Sequence, residues 1–325
     1  MKDIAAQTGR PVVFNLSQID DNPTLWRELM GELEKAKQDG LPLHAQVAGR
    51  SIGICMSWQG TAHPFAGYPS WLQMMQEPWE VKEAALKGDG FREKLLSEKP
   101  FPLWDFADMI TQSFHKMFPL RDGTAYEPTE SESVAAIAER TGRTPQEVAW
   151  DVLMENDGNG MLYFPLFNYS DGNLDVLHEM HSSDLTFMGL SDGGAHCGAI
   201  CDAGMPTFML THWTRDRSRG TIPLERIVHR QTQETAQFYG MNDRGVIAPG
   251  YLADVNIIDY DALSLGRPQV VYDLPAGGRR LLQHASGYRF TIKRGQIVFE
   301  EGEATGVLPG QLVRGEQSLP EPARV

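Results

Sequence analysis

The sequence predicts an α/β protein in which a parallel sheet is followed by a smaller β domain. Through the first three-quarters of the 325 residues, short apolar strands alternate with amphipathic helix patterns, as they do in βαβ units. After Gly240 the helix patterns stop, and turn-rich segments separate short strands. These two observations divide the chain into a larger α/β part and a smaller β part.

The strands of the α/β part are predicted from short apolar runs bounded by turn residues. Each run is four to seven residues long, which suits a strand better than a helix. The predicted strands are 12–16, 43–47, 161–167 and 186–189.

Helix signals lie between these strands. Asn22 is predicted to cap a helix with Pro23 at its first position. Apolar residues then recur at a spacing of three or four: Trp26, Leu29, Met30, Leu33 and Ala36. Further helices are predicted by capping-box patterns and by apolar stripes, beginning near Thr129 and Thr144 and covering 175–180 and 224–239.

The remaining segments set the predicted domain boundaries. Residues 55–128 are irregular and rich in aromatic residues, as is typical of a long segment that covers a pocket. We expect a barrel-like part over 1–240 that includes this insertion, a β domain over 241–315 and a disordered tail over 316–325. Within the β domain, a strand is predicted over 253–259 and a hairpin over 288–292 and 296–299.

The number of predicted parallel strands is too small for a closed barrel. A (β/α)8 barrel needs eight strands, typically in about 250 residues, whereas four are predicted here. Four parallel strands alone would leave two open edges and an uncovered apolar interior. The fold is therefore predicted to be an open sheet, or else the chain is part of a larger unit.

Composition excludes several classes of function. The hydrophobic content of 41% and charged content of 22% are ordinary for a globular protein. A net charge of −14 argues against nucleic acid and anionic membranes as partners. No apolar run could span a bilayer, no export signal is seen at the start, and three cysteines make no disulfide framework. We expect a cytoplasmic enzyme.

The run GLSDGGAH at 189–196 is the most informative in the chain. It places Asp192 directly after the predicted strand 186–189, in a turn of small residues. An acidic side chain at the carboxyl end of such a strand is typical of catalysis. As a general base it would take a proton from a metal-held water and return it to a leaving nitrogen. The alternative is that Asp192 only caps the turn.

Two other functions remain open for the same run. Its letters fit G-x-S-x-G, the nucleophile pattern of serine hydrolases, with Ser191 at the centre. That chemistry needs a helix directly after the serine and an oxyanion loop before it, and no His-Gly motif precedes Ser191. The third possibility is a non-catalytic remnant that acts as a scaffold or as the partner of another subunit.

Metal ligation is a separate question. Asp192 and His196 are the candidate ligands, and Cys197 and Cys201 lie close by. The two cysteines lack the second Cys or His pair that makes zinc motifs specific, so buried hydrophobes are the favoured interpretation. His44 lies in a predicted strand, where a core or rim histidine is favoured over a ligand.

Two sets of polar residues are candidates for substrate contact. Arg215, Arg217 and Arg219 cluster after an apolar segment and can bind a carboxylate, although solvated surface charges are commoner. Gln46 and Arg50 flank the second strand. They are predicted either to face a pocket or to form a hydrogen-bonded scaffold pair.

Taken together, these residues resemble the amidohydrolase superfamily, and within it the C-terminal portion of the N-acyl-D-amino-acid deacylase (D-aminoacylase) branch. The resemblance extends over nearly the whole chain. It is carried by the run at 189–196, ICD at 200–202, PT at 206–207, DRGVIAPGYLAD at 243–254 and the glycine-containing pairs between 305 and 315.

The resemblance implies a partial TIM-like (β/α) barrel, its C-terminal half, with a small β domain. It also implies a metal-dependent hydrolase that acts on carbon–nitrogen bonds other than peptide bonds, with Zn²⁺ or another divalent metal as cofactor. Asp192 would be both metal ligand and proton carrier. The implied substrate is a small N-acyl amine or amide. The implied protein partner is the missing N-terminal half or a second copy of the chain.

Departures from the family pattern limit what this chain is expected to do alone. None of its nine histidines occurs as His-x-His, the family's early metal pair, so an incomplete metal site is predicted. No arginine lies between Asp192 and Thr214, where D-aminoacylases carry the one for the substrate carboxylate.

Overall fold

A computed structural model describes residues 1–189, 191 and 196–320. The α-helices in these ranges are α1 (Lys2–Thr8), α2 (Leu25–Gln38), α3 (Pro69–Met74), α4 (Trp79–Leu86), α5 (Phe91–Ser97), α6 (Asp105–Gln112), α7 (Val134–Thr141), α8 (Pro145–Gly158), α9 (Asp175–Ser182), α10 (Met205–Thr211), α11 (Leu224–His229) and α12 (Thr235–Phe238). None of them has the length and apolar character that a membrane span requires.

The strands form several small sheets. They are β1 (Val12–Asn15), β2 (Leu43–Ala48), β3 (Gly53–Met56), β4 (Phe118–Pro119), β5 (Leu162–Pro165), β6 (Thr186–Gly189), β7 (Val255–Ile258), β8 (Ser264–Leu265), β9 (Gln269–Leu274), β10 (Gly278–Leu282), β11 (Ala285–Ser286), β12 (Tyr288–Lys293), β13 (Gln296–Glu300) and β14 (Glu303–Ala304). The mixed α/β class is confirmed.

Three strands form a parallel sheet in the order β1-β2-β6. In the central strand, Ala45 lies opposite Phe14 of β1 and Thr186 of β6. Alternate residues of β2, Leu43 and Ala45 among them, are buried in a core with residues of α2 and α9. The strands predicted at 12–16, 43–47 and 186–189 are therefore confirmed.

The fourth predicted strand, 161–167, does not join this sheet. It is β5, which pairs antiparallel with β3 and β4 in the order β3-β5-β4. All four residues of β5 are buried, and an entirely apolar strand has no alternation that would indicate its neighbours. The prediction of four parallel strands was wrong. The described residues contain three, and they form no closed barrel.

Helix α2 follows β1 and confirms the predicted apolar stripe, since Trp26, Leu33 and Ala36 are buried. Its predicted start was wrong, because the helix begins at Leu25. Asn22 belongs to the preceding turn, where it forms an isolated bridge with Ile19 and does not cap the helix.

Both predicted capping boxes are present, but only one of them caps an α-helix. Thr144 and Glu147 cap α8 as predicted. Thr129 and Glu132 instead close a 3₁₀ turn, after which Ser133 caps α7 by accepting a hydrogen bond from Ala136 N–H at 3.1 Å. The helices predicted over 175–180 and 224–239 are confirmed as α9 and as α11 and α12, which a π-helical turn joins.

The aromatic-rich segment forms a second core beside the parallel sheet. Trp58 is buried at its centre, with ring centroids 5.2 Å from Phe65, 5.2 Å from Trp71 and 5.1 Å from Trp150. Trp150 belongs to α8, so this segment packs on the helices that follow it.

The C-terminal strands form a four-stranded antiparallel sheet in the order β14-β13-β12-β7, with two-stranded ribbons beside it. The predicted hairpin is confirmed as β12 and β13. No residue of these four strands is buried. In the predicted tail, Gln317 N–H donates to Gly240 C=O at 2.7 Å. The predicted domain boundaries stay a prediction.

Candidate functional site

The run GLSDGGAH at 189–196, which we call the site run, begins at the last residue of β6. The structure describes part of it. Asp192, the predicted catalytic residue and metal ligand, lies outside the described residues, as do 190 and 193–195. Ser191 is half-buried and His196 is exposed. His196 has a φ of 52°, in the left-handed region that non-glycine residues rarely occupy.

The end of β6 is fixed by a contact with the neighbouring strand. A Cβ built on Gly189 would lie 1.8 Å from Nε2 of Gln46 and 2.1 Å from its Cγ. The Gln46 side chain therefore lies directly across Gly189, where no larger residue fits without displacing it. This is a packing contact, which differs from the hydrogen-bonded pair with Arg50 that was one of the two predicted roles.

The segment that follows the site run is attached to three other elements through its backbone. Cys197 C=O accepts a hydrogen bond from Leu281 N–H at 2.7 Å, Gly198 C=O accepts one from Thr61 N–H at 2.8 Å, and Ala199 C=O accepts one from Cys55 N–H at 2.7 Å. These three bonds satisfy successive backbone carbonyls. They also fix the path of the chain as it leaves the site run.

Arg50 and Asp202 form an ion pair beneath this segment. Arg50 Nη2 lies 3.5 Å from Asp202 Oδ1, and the two side chains are only 1% and 5% exposed. The same nitrogen donates to Cys201 C=O at 2.6 Å, and the guanidinium lies 3.9 Å from the centre of the Tyr126 ring. Arg50 is therefore a buried scaffold residue and does not face an open pocket.

Cys55 and Cys201 are buried thiols, whereas Cys197 is partly exposed. Burial raises the pKa of Cys55 to about 12 and that of Cys201 to about 11, so both thiols stay protonated at neutral pH. Zinc is held by thiolates, so Cys201 fits the predicted role of a small buried hydrophobe, and the partly exposed Cys197 does not. The described residues contain no cluster of three His, Cys, Asp or Glu side chains that could hold a metal.

His44 lies on β2 with its ring 5.2 Å from that of Phe238 in an edge-to-face contact. Burial lowers the pKa of this histidine, so the ring is neutral and packs as part of an aromatic pair. This environment fits the prediction of a core or rim histidine at position 44.

The arginines of the cluster make structural contacts, although Arg219 is more than half exposed. Arg215 donates to backbone carbonyls of the loop after β7. Arg217 pairs with Glu127 at 2.9 Å and with Asp175 at 2.5 Å, and Arg219 pairs with Asp175 at 2.6 Å. The prediction that these arginines bind a substrate carboxylate gains no support.

One buried network was missed in the sequence. Glu127 accepts hydrogen bonds from His212 at 3.0 Å, from Arg217 at 2.9 and 3.0 Å and from Leu174 N–H at 2.8 Å. Burial alone would raise the pKa of Glu127, but the hydrogen bonds from His212 and Arg217 outweigh it and lower the pKa to about 2. Partners 85 to 90 positions apart leave no local pattern that could have revealed them.

The serine-nucleophile alternative needs a helix directly behind Ser191. Over the described residues 196–204, the chain forms turns, and the next helix, α10, begins only at Met205. The described geometry does not match a nucleophile elbow.

The chain matches the amidohydrolase family over residues 105–299, which is more than half of its length. It belongs to the amidohydrolase family. The matched stretch contains the whole run at 189–196 together with β7, β12 and most of β13 of this amidohydrolase. The resemblance predicted from the sequence is confirmed at the level of the family.

Solved structures of two relatives show a low overall similarity. A D-aminoacylase described with a binuclear metal centre is 16% identical, with a TM-score of 0.48 and coverage of 94% of this chain and 50% of its own. An N-acyl-D-glutamate deacylase from Bordetella bronchiseptica, complexed with zinc and a phosphonate inhibitor, is 18% identical, with a TM-score of 0.47 and coverage of 98% and 52%. The chain thus spans about half the length of these proteins. No curated protein sequence matches it.

Proposed function

We propose that this amidohydrolase supplies Asp192 as the proton carrier in the hydrolysis of a carbon–nitrogen bond other than a peptide bond, in a small N-acyl amine or amide. The observation that carries the proposal is the family match over 105–299, which includes Asp192. The anchoring of the following segment to Cys55, Thr61 and Leu281 supports it, because a proton carrier must be held at a constant position.

The proposed reaction is the hydrolysis of the carbon–nitrogen bond, with Asp192 carrying one proton from water to the nitrogen. The Asp192 carboxylate removes a proton from water as the water oxygen forms a bond to the acyl carbon. The protonated Asp192 then donates this proton to the amide nitrogen while the carbon–nitrogen bond breaks. The products are a carboxylic acid and a free amine, and Asp192 returns to its starting state. A single carboxylate can serve both proton transfers, because it acts as a base in the first and, once protonated, as an acid in the second.

The family resemblance also implies Zn²⁺, but the described residues do not fit such a site. They offer no group of three metal-ligating side chains, and a catalytic zinc site takes three protein ligands and a water. We therefore derive no step through a metal. Asp192 and His196 remain proposed ligands, and any complete site would need further ligands beyond the described residues.

The test is the variant Asp192→Asn in the full natural polypeptide that contains this sequence. Release of primary amine from N-acetylated D-amino acids, L-amino acids and simple amines measures turnover, and far-UV circular dichroism checks folding. We expect a loss of about 10²–10⁴-fold in rate, the usual contribution of a general acid–base group, in a protein that stays folded.

The matched control is Asp89→Asn, which removes an exposed carboxylate and should leave turnover unchanged. Full activity in Asp192→Asn would refute the proposed role. Labelling of Ser191 by a fluorophosphonate probe would support a serine hydrolase instead. Absence of amine release from every substrate by the wild-type protein would support a non-catalytic subunit.

A further inference from the structure

Two basic side chains from different elements lie near the segment that leaves the site run. Arg279 belongs to β10, and a Cβ built on Gly198 would lie 4.0 Å from its Nε. Lys82 belongs to α4, and its Nζ lies 5.8 Å from the centre of the Trp71 ring. Arg279 is exposed and Lys82 is half-buried, so a ligand can reach both from solvent. We call these two residues the cation pair.

The turn at 61–63 connects the surroundings of the two cations. Thr61 N–H donates to Gly198 C=O at 2.8 Å, beside Arg279. Two residues further on, the ring of His63 lies 4.4 Å from the ring of Trp71, beside Lys82. The two members of the cation pair therefore lie on either side of the same short turn.

The charges of the pair act on each other across this turn. Burial lowers the pKa of Lys82, and the positive charge of Arg279 lowers it further. Burial also lowers the pKa of His63 to about 3, and both cations add to that effect. The Coulomb interaction falls with distance, so these effects agree with the placement of both cations near the turn. Because His63 is neutral, the charge beside the turn comes from the cation pair.

The cation pair has no acidic partner among the described residues. No described carboxylate forms an ion pair with either member. Glu77 is the acidic group that acts on Lys82, and its effect is smaller than that of Arg279. Two like charges that are not neutralised raise the free energy of the folded protein. In a protein with a net charge of −14, such a local positive field favours an anion.

Both members of the pair also keep free hydrogen-bond donors. The Arg279 guanidinium makes no hydrogen bond to any described residue, which leaves its five N–H groups for a ligand. The Lys82 ammonium uses one of its three N–H groups, on Met75 C=O at 2.8 Å. The backbone that carries Arg279 is fixed two residues later, where Leu281 N–H donates to Cys197 C=O at 2.7 Å. Such preorganisation lowers the cost of binding.

We propose that Arg279 and Lys82 together bind a small dianion beside the turn at 61–63. The planar guanidinium can hold two oxygens of the ligand, and the ammonium acts as a point charge on a third. A monoanion neutralises only one member of the pair, whereas a dianion neutralises both. Tetrahedral oxyanions and short dicarboxylates share this chemistry. The proposal is independent of the proposed hydrolysis, because it uses neither Asp192 nor His196.

The test is a calorimetric titration of the protein with sodium sulfate and with sodium malonate, in sodium chloride at matched ionic strength. Sodium acetate supplies a single charge for comparison. We expect saturable binding of a dianion and binding of acetate that is weaker by about tenfold or more. Tighter binding of sulfate would identify a tetrahedral oxyanion as the ligand class, and tighter binding of malonate a dicarboxylate. Acetate binding as tight as that of the dianions, or no saturable binding of either dianion, would overturn the proposal.

Variants place the binding at the cation pair. Arg279→Gln and Lys82→Gln should each weaken the dianion by about tenfold or more, because each removes a charge-assisted hydrogen bond. Far-UV circular dichroism checks that both proteins are folded. Unchanged binding in either variant would contradict a site that needs both cations.

The matched controls are Arg280→Gln and Lys87→Gln. Each removes one positive charge next to the same element, but from a side chain that already has a carboxylate partner. Arg280 pairs with Asp273 at 2.7 Å, and Lys87 pairs with Glu83 at 2.8 Å. Both controls should bind the dianion as the wild-type protein does. A loss in the controls equal to that in the cation-pair variants would show a general charge effect and refute the site.

Discussion

The α/β part and the C-terminal sheet each contain ion pairs, but burial makes these pairs differ in their effect. Arg50 and Asp202 are 3.5 Å apart and almost fully buried, whereas Arg289 and Asp259 are 2.8 Å apart with 47% and 37% of their side chains exposed. Exposed pairs contribute little because water screens them. Breaking a buried pair leaves a desolvated charge, which is costly. The longer pair is therefore the one that matters for stability.

The same contrast holds for the apolar side chains. Trp58 is enclosed by three other aromatic rings and is 2% exposed, while Phe299 in the C-terminal sheet is 43% exposed. Since stabilisation scales with the apolar area removed from water, the α/β part gains most of the hydrophobic free energy. All seven tryptophans lie before residue 214, so tryptophan fluorescence reports on the α/β part alone.

The largest effect is expected from Arg50→Met. This change removes the Arg50 cation from its ion pair with the buried Asp202 carboxylate and removes the bond to Cys201 C=O. We expect the free energy of unfolding to fall by about 3–5 kcal/mol, measured by urea denaturation with tryptophan fluorescence.

Arg289→Gln in the C-terminal sheet is the comparison and should leave the denaturation midpoint unchanged within error. The double variant Arg50→Met/Asp202→Leu should recover part of the loss, because it also removes the buried Asp202 carboxylate. If Arg50→Met lowers the free energy of unfolding by less than about 1 kcal/mol, as the loss of an exposed pair would, burial does not make this ion pair more important for stability.

A second effect is expected from pH, through two buried histidines of the α/β part. Burial is the main cause that lowers the pKa of His63 and of His181, each to about 3. His181 Nε2–H donates to Ala48 C=O at 2.9 Å, and Arg230 also opposes its protonation. Both rings are neutral in the folded protein.

The sign follows from proton binding. The unfolded histidines take up protons below their ordinary pKa of 6.5 and the folded ones do not, so stability falls as pH drops from 6.5 towards 3. Each histidine costs about 1.4 kcal/mol per pH unit in this range. Urea titrations at pH 7.5, 6.5 and 5.5 measure the slope. His181→Gln should reduce it by about half, and His115→Gln, an exposed control, should leave it unchanged. A flat profile would contradict the buried neutral rings.

The smallest effect is expected at the end of β6. Gly189→Ala places a methyl group against Gln46, and overpacking of this kind costs about 1–3 kcal/mol. Adding Gln46→Ala should restore most of the loss. Gly31→Ala in α2 is the matched control, since nothing lies within 4 Å of the added methyl, and there alanine should be neutral or stabilising. Equal effects at the two glycines would exclude the Gln46 contact as the cause.

Much of the fold could be predicted from local patterns. The strands at 43–47 and 186–189, the Thr144 capping box and the hairpin of β12 and β13 follow from apolar runs, caps and turns that are contiguous in sequence. Strand β5 was placed in the wrong sheet because the four buried residues of its core are compatible with any partner strand. The start of α2 was displaced because a turn at Asn22 offers the same residue types as a helix cap.

The candidate site was less predictable. The run at 189–196 could be recognised because its letters are adjacent. Arg50 and Asp202 are about 150 positions apart, and Glu127 and His212 are 85 apart, so no spacing rule connects them. Whether a polar residue faces a pocket or pairs beneath one depends on packing, which the sequence pattern around Arg50 does not contain.

The hydrogen bonds of residues 197–201 have a consequence for natural variation. Within five positions, four carbonyls accept bonds from four different places in the chain, namely Leu281, Thr61, Cys55 and the Arg50 side chain. These bonds use the backbone and therefore restrict the number of residues in the segment, while close packing restricts the side chains at Gly198 and at the buried Cys201. One inserted or deleted residue would shift every acceptor out of reach of its donor. We therefore expect relatives to agree in the length of this segment.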